Sequence, residues 1–518
     1  MLKTFPRELE IHRRRIEEIA REAGLDFFHT VFEMVDFDQM NQIASYGGFP
    51  QRYPHWRFGM EYEKLKKQHS YGLSRIYEMV INNDPCYAYL LTDNELVDQK
   101  LVMAHVYAHC DFFKNNIWFS QTNRKMIDEM ANHSTRVWKH IEQVGYEPVE
   151  RFLDICLSIE NLIDPYLPFK NAAAAQAQPS QPEAPRPAQS AREQIEDRVV
   201  KYKAKPYMER FINPPELLSR QRAQHAKDLA QERRAFPLNP ERDILLFLLR
   251  YGPLEDWQAD ILSIIRDEAY YYAPQGQTKI MNEGWATYWH SRLMTTRLLR
   301  DDELITYCDH HSGTLATQPG RLNPYKMGVE LLRDIEDRWN TGRFGKDFDE
   351  CDEVEKRRKW NTAMGKGREK IFEVRRVHND VTFIDEFLTP EFVDRYNLYH
   401  YRYDPATGRM VAVNRNFEQI KQHMLFMLTN HGQPFIYVVD GNYANRGELY
   451  LAHKHVGVDL DIKYANETLR NIQQIWQRPV HLQCQIDDDM MLFTSNGESV
   501  KQQKIKDDHP KPAHADIR

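Results

Sequence analysis

Apolar positions from Glu8 to about Tyr166 recur mainly at helical spacing. Phe28, Val31, Phe32 and Val35 form one set, and Val102, Val106 and His109 another, with turn-rich breaks at 47–54 and 82–85. The same texture returns from 195 to 345 and predicts helices over 242–250, 254–272, 282–299 and 327–340. Between these halves, 171–194 reads NAAAAQAQPSQPEAPRPAQSAREQ. Ala, Gln, Pro and Ser displace every aromatic residue there, which predicts a flexible linker. After 346 the pattern changes: 433–440, 447–455 and 480–486 read as short strands, with a helix over 465–476 between two of them. The tail, 501–518, is polar with two prolines and is expected to fray.

Composition narrows the class. The 69 Lys and Arg against 76 Asp and Glu leave −7 over 518 residues, which is no footprint for nucleic acid. The best apolar run, 244–249, is far short of the roughly 18 residues a membrane helix needs, so no membrane insertion is expected. Residues 1–7 lack the apolar core of a secretory signal. The six cysteines are dispersed without a CxxC pair, and both features point to a reduced, cytoplasmic setting. Aromatic residues at 12% are plentiful for a plain scaffold.

The first reactive pattern is His105 and His109, four apart on a helix and so on one face, as zinc peptidases place two ligands. With 21 histidines in 518 positions, chance supplies roughly 0.85 such pairs, so for this pair taken alone satisfied core or surface histidines are the leading account. The zinc-peptidase motif also puts a Glu directly after the first His; here that residue is Val106. The second pattern is a helix beginning near Asn282 that carries Glu283, Thr287 and His290 on one face. His105, His109 and Glu283 then make a His₂Glu set, with His290 as competing ligand or outer partner. Asn282 as a cap with Glu283 in the first turn is the plain structural account. Glu78 and Glu268 sit in apolar-periodic helical stretches, where solvated or salt-bridged carboxylates are the ordinary case; they are the candidates for general base. Tyr270–Tyr272 reads as core packing with satisfied hydroxyls. A turn-rich loop over 308–326 offers His311, Arg321 and Tyr325 as oxyanion donors, although Pro-Gly and Asn-Pro turns explain the same letters.

The strings HVYAHCDFFKNNIWF at 105–119, PQGQTKIMNEGWATYWH at 274–290, HSGTLATQPGRLNPYKMG at 311–328 and DIEDRWNTGRFG at 334–345 carry a resemblance to the stage V sporulation protein R (SpoVR) family over nearly the full chain. The resemblance implies a link to the spore cortex, a peptidoglycan layer. In bacteria that do not sporulate, it implies stress-response partners: an AAA+ serine protein kinase and a von Willebrand A-type protein. It supplies no reaction and no residue roles.

The expected fold is α+β. Residues 1–170 and 195–345 are the halves of a predominantly helical, zinc-peptidase-like region, 171–194 is a linker, 346–500 is a smaller α+β interaction or regulatory domain, and 501–518 is a tail. The first functional expectation is a cytoplasmic Zn²⁺-dependent amidase or peptidase acting on peptidoglycan-derived peptides or muropeptides, the substrate class coming from the resemblance alone. In it His105, His109 and Glu283 hold the metal, Glu78 or Glu268 is the base, and His311 or Tyr325 steadies the oxyanion. The alternative is a non-catalytic partner of the kinase and the von Willebrand-type protein, favoured by Val106. A two-iron site drawn from Glu78, His105, His109, Glu268, Glu283 and His290 lacks the paired Glu-x-x-His motifs of such bundles.

Overall fold

The computed structural model describes residues 5–70, 78–176, 199–203, 205, 208–232, 236–487 and 489–505. The chain forms two compact units, each assembled from two separate stretches of sequence. The first is Met1–Glu150 with Tyr270–Gln433, and the second is Arg151–Ala269 with Pro434–Arg518.

Helix Leu96–Asn115 runs through the centre of the first unit. Its residues from Val102 to Phe113 are all buried, which is why its apolar pattern goes nearly all round rather than along one stripe. Helix Lys279–Leu293 is equally enclosed, with every residue from Ile280 to Ser291 buried, and helix Pro324–Thr341 packs on it through Met327, Val329, Leu331, Leu332 and Ile335. Gly284 meets Gly328 where these two helices cross. A Cβ built on Gly284 would lie 2.5 Å from the Gly328 carbonyl carbon, and one on Gly328 would lie 2.6 Å from the Gly284 Cα. The backbones therefore touch, and only hydrogen fits between them.

Three sequence expectations for this unit are corrected. Phe28, Val31, Phe32 and Val35 are not on a helix: Thr30–Val35 is a strand, parallel to the central strand Cys86–Leu91, which pairs antiparallel with Glu78–Ile81 on its other side. Thr30, Phe32 and Met34 are buried while Val31 and Glu33 are half-buried, so a period of two underlies spacings that also fit a helix. Glu78 likewise starts a strand instead of sitting in a helix. The expected loop at 308–314 is the end of helix Leu304–Thr314, and the turn residues act only beyond it: Gln318–Arg321 makes a tight turn, and the Asn323 side chain caps helix Pro324–Thr341.

The second unit holds a five-stranded sheet in the order Val500–Lys504, Asp489–Ser495, Val480–Ile486, Glu448–Lys454, Phe435–Tyr443. All neighbours are antiparallel except Glu448–Lys454 with Val480–Ile486. Helix Ile462–Trp476 makes that parallel crossover, burying Leu469, Ile472, Ile475 and Trp476. The sheet recruits an earlier segment of the chain: Glu241 bridges Val438, and Phe236 and Phe247 press on Gly441, where a Cβ would lie 2.7 Å from the Phe247 ring.

The division of the chain therefore differs from the one expected. Residues 346–433 do not join the strands after them, because Ile371, Val374, Phe383, Ile384 and Phe387 complete the core of the first unit. Of the expected linker, 171–176 finish helix Leu167–Gln176, and 177–194 lie outside the described residues. Of the expected tail, 501–504 belong to the edge strand and Ile505 is buried, while 506–518 lie outside the described residues. Tyr271 and Tyr272 do pack with satisfied hydroxyls, donating to the carbonyls of Asn82 (3.2 Å) and Gly47 (3.1 Å), and all six cysteines are free thiols.

Gly284→Ala or Gly328→Ala is expected to lower the unfolding free energy by about 2 kcal/mol or more, since backbone rather than a flexible side chain opposes the added methyl. Gly313→Ala, in an exposed helix position with open space around it, is expected to raise it by up to about 1 kcal/mol. Urea midpoints of the three variants check the contrast.

Candidate metal centre

His105 and His109 project from one face of helix Leu96–Asn115, their rings 4.5 Å apart and nearly perpendicular. Glu283 faces them from helix Lys279–Leu293. Its Oε2 lies 3.6 Å from His105 Nε2 and 3.5 Å from His109 Nε2, and all three side chains are buried. Among the described residues these form one group of three in which the donor atoms lie within 4.8 Å of one another.

Two buried acids hold the helices in this register. Asp380 accepts the backbone N–H groups of Ile280 (2.8 Å) and Met281 (2.9 Å), so the first turn is capped from 100 positions away. That cap moves the helix start back to Lys279, which corrects the expectation of Asn282 as cap and places Asn282 and Glu283 inside the helix. Asp111, two residues after His109, accepts the indole N–H of Trp285, two residues after Glu283, at 2.8 Å; it also takes the Asp26 N–H at 2.8 Å and pairs with Arg375 at 3.3 Å. Burial pushes Asp111 up to about 6 against the pull of Arg375, and Asp380 up to about 7 against its backbone donors.

Each donor is oriented from behind. Asn282 Oδ1 lies 2.9 Å from His109 Nδ1; an amide oxygen only accepts, so Nδ1 carries the proton and Nε2 presents its lone pair to Glu283. His105 Nδ1 is 2.9 Å from His290 Nδ1, and His290 Nε2 is 3.0 Å from His311 Nδ1, forming a chain of three rings that ends on a half-buried histidine. The Leu304–Thr314 helix that carries His311 is tied to the His105 helix by His310 with Asp98 (2.6 Å) and by the buried pair of Lys100 with Glu303 (2.7 Å) just ahead of it. Lys279 occupies Glu283 Oε1 at 2.5 Å, whereas buried Oε2 has no hydrogen-bond partner.

Burial holds His109 down to about 4, with His105 adding to the effect, and it holds His290 well below the usual range together with His105 and His311. Burial pushes the Glu283 carboxyl up, but His105, His109 and Lys279 outweigh it and hold the group below the ordinary carboxylate range. A His109 imidazole kept neutral by burial, facing an ionised carboxylate, is in the protonation state that a metal ligand requires.

The donor set fits a divalent cation. A tetrahedral ion with bonds of about 2.0–2.1 Å holds neighbouring ligands roughly 3.3–3.4 Å apart, and the two nitrogens stand 3.6 and 3.5 Å from the orphaned oxygen. Two imidazoles and one carboxylate leave a tetrahedral position open.

Of the other sequence candidates, His290 stands behind His105 instead of joining the trio, and His311 stands behind His290. Tyr325 stacks on His105 with ring centroids 6.3 Å apart. Arg321 is exposed on the Gln318–Arg321 turn. Glu268 is buried in a stretch that belongs to the second unit, and the Glu78 side chain lies outside the described ones. Sequence reasoning missed Lys279, Asp111 and Asp380 and read Asn282 as a cap only. The position of Asn282 next to Glu283 was a usable signal, whereas nothing local connects Asp380 to a helix a hundred residues earlier.

Fold and cluster together define an α+β protein built around a buried, helix-borne histidine–glutamate centre. The chain belongs to the SpoVR family: the model described as SpoVR like protein matches residues 4–433, and the one described as SpoVR-like C-terminal domain matches 434–487. The junction of the two matches falls where the second compact unit resumes, at Pro434. The chain is 28% identical over 513 residues to "Uncharacterized protein YcgB" of Escherichia coli (strain K12), covering 93% of this chain and 92% of that protein. No solved structure matches.

The depressed His109 has a stability consequence. Between about pH 6.5 and 4 the unfolded chain takes up a proton that the folded protein refuses, so unfolding free energy falls as pH falls through that window, by about 3 kcal/mol at its lower end. Urea unfolding of chelator-treated protein across this range is expected to show that slope, and His109→Gln is expected to flatten it by close to one proton.

Proposed function

We propose that this chain is a metal-dependent hydrolase, an amidase or peptidase, in which His105, His109 and Glu283 hold Zn²⁺. The observation that carries the reading is Glu283 Oε2: a buried, charged oxygen without a hydrogen-bond partner, aimed at two imidazole nitrogens whose far sides are engaged. A protein core leaves such an oxygen uncompensated only at considerable cost, and a cation among the three donors removes that cost. Zn²⁺ bound there supplies Lewis acidity, polarising a carbonyl and acidifying water. The chain's own groups do the rest. Asn282 fixes the His109 tautomer, His290 engages the Nδ1 of His105, Lys279 pins the other Glu283 oxygen, and the Tyr325 ring stacks on His105. The His290–His311 pair gives a proton a hydrogen-bonded route away from His105. The zinc-peptidase likeness rests on this ligand set, and peptidoglycan-derived peptides or muropeptides in the cytoplasm are the substrate class and setting that go with the family. No described helix is long and apolar enough to cross a membrane.

A second reading, a non-catalytic regulator working with an AAA+ serine protein kinase and a von Willebrand A-type protein, is favoured by one observation. Val106 is fully buried in the core at the place where the motif would put its base. The two readings part on turnover: a metal-loaded chain that cleaves no amide or muropeptide while retaining the kinase in affinity capture belongs to the second.

Elemental analysis of the purified chain after dialysis against Zn²⁺ is expected to give one ion per chain. His109→Ala should abolish the ion, and Asn282→Ala should weaken it about 10–100-fold by releasing the His109 tautomer. A wild-type chain without stoichiometric metal ends the proposal.

A further inference from the structure

The antiparallel hairpin His400–Asp404 and Arg409–Asn414 lies in the first unit and includes none of the trio. Beside it is a cleft of about 690 Å³ whose polar lining is Asn397, Tyr399, Tyr401, Thr407, Arg409 and Arg415, with apolar Met410 and Val411 among the rest of the lining. Among the described residues no Asp or Glu lines it. Arg409 and Arg415 are exposed, and among the described residues neither makes an ion pair with an acid. The acid placed to neutralise Arg409 is Asp404, its partner in register. Asp404 instead accepts the Thr407 hydroxyl at 2.7 Å and the Ala406 N–H at 3.0 Å.

Arg415 is held in place by packing. Its guanidinium carbon lies 5.0 Å from the centroid of the Tyr399 ring, and Tyr399 is itself fixed by donating its hydroxyl to Asp394 at 3.1 Å. Stacking one face of a guanidinium orients its N–H edge without consuming it, and that edge matches the two oxygens of a carboxylate or phosphate. Met410 and Val411 remain 40% and 45% exposed beside it, so the cleft offers apolar surface next to two uncompensated cations. The cleft also adjoins the segment that links two residues of the candidate metal centre. A Cβ on Gly320 would lie 3.2 Å from Met410 Cε and 3.4 Å from Tyr401 Cβ, and Gly320 sits on the turn between the helices bearing His311 and Tyr325.

We propose that this cleft is a binding site for a small organic oxyanion, a carboxylate or phosphate carried on an apolar or aromatic body, clamped by Arg409 and Arg415. The site does not depend on the chemistry proposed for the metal centre.

The test is ligand-observed NMR titration of the full chain with phenyl phosphate, benzoate and the neutral benzyl alcohol. At least one of the anions should bind saturably, at least tenfold more tightly than benzyl alcohol, and more weakly as salt rises. The tighter of the two identifies phosphate or carboxylate as the preferred head group. Arg409→Gln with Arg415→Gln should weaken that binding at least tenfold, whereas chelator treatment of the wild type should leave it unchanged. Both arginines are exposed and, among the described residues, pair with no acid, so the double variant is expected to fold, with circular dichroism as the check. The proposal is overturned if neither anion binds, if benzyl alcohol binds equally well, if the double variant binds as the wild type does, or if chelator abolishes binding and so places the anion at the metal centre.

Discussion

The contact between Gly284 and Gly328 is the constraint on which the first unit depends. Two helices approach until their backbones touch, which leaves room for helix Leu96–Asn115 on the other side of Lys279–Leu293 within one continuous core. Side chains of the candidate centre flank the contact on both helices: Glu283 immediately precedes Gly284, and Tyr325 lies three residues before Gly328, where its ring meets His105. A single close approach therefore places a carboxylate and a phenol against the same imidazole. Asp111 and Asp380 then fix what the crossing leaves free, namely rotation and sliding of the Glu283 helix.

The centre is an electrostatic arrangement as much as a geometric one. The Glu283 carboxylate accepts Lys279 at one oxygen, and the two imidazoles that face its other oxygen have their Nδ1 atoms engaged by Asn282 and His290. Burying charges without such partners would cost several kcal/mol each. Here both Nδ1 atoms and Glu283 Oε1 have hydrogen-bond partners, whereas Glu283 Oε2, 3.5–3.6 Å from the two Nε2 atoms, has none. The hairpin cleft shows the opposite economy: its arginines stay in solvent, where an unpaired charge costs little and remains available to a ligand.

What the sequence discloses follows from the range of the interaction. The four-residue spacing of His105 and His109 is local, and so is the helix that carries Glu283; both were legible, as was the strand–helix–strand run from Glu448 to Ile486. Thr30–Val35 was misread because a short strand with both faces partly covered satisfies helical spacing by accident. The 308–314 stretch was misread because turn residues further along coloured its reading, although the helix simply continues to Thr314. The unit boundaries were beyond reach, since they follow from pairings such as Phe247 against Gly441 that no local pattern announces. The same holds for Asp380, whose role as a cap exists only once the chain has returned.

That return sets an order of events during synthesis. The Glu283 helix leaves the ribosome about a hundred residues before Asp380, the acid that caps it. Residues 236–251 wait still longer for the strand at Phe435–Tyr443 that they brace. At the usual 5–20 residues per second the first interval lasts roughly 5–20 s, during which the two histidines have no settled carboxylate partner. The histidine–glutamate cluster is thus completed late, by residues on the far side of the chain, and its face in the nascent protein is open before it is enclosed.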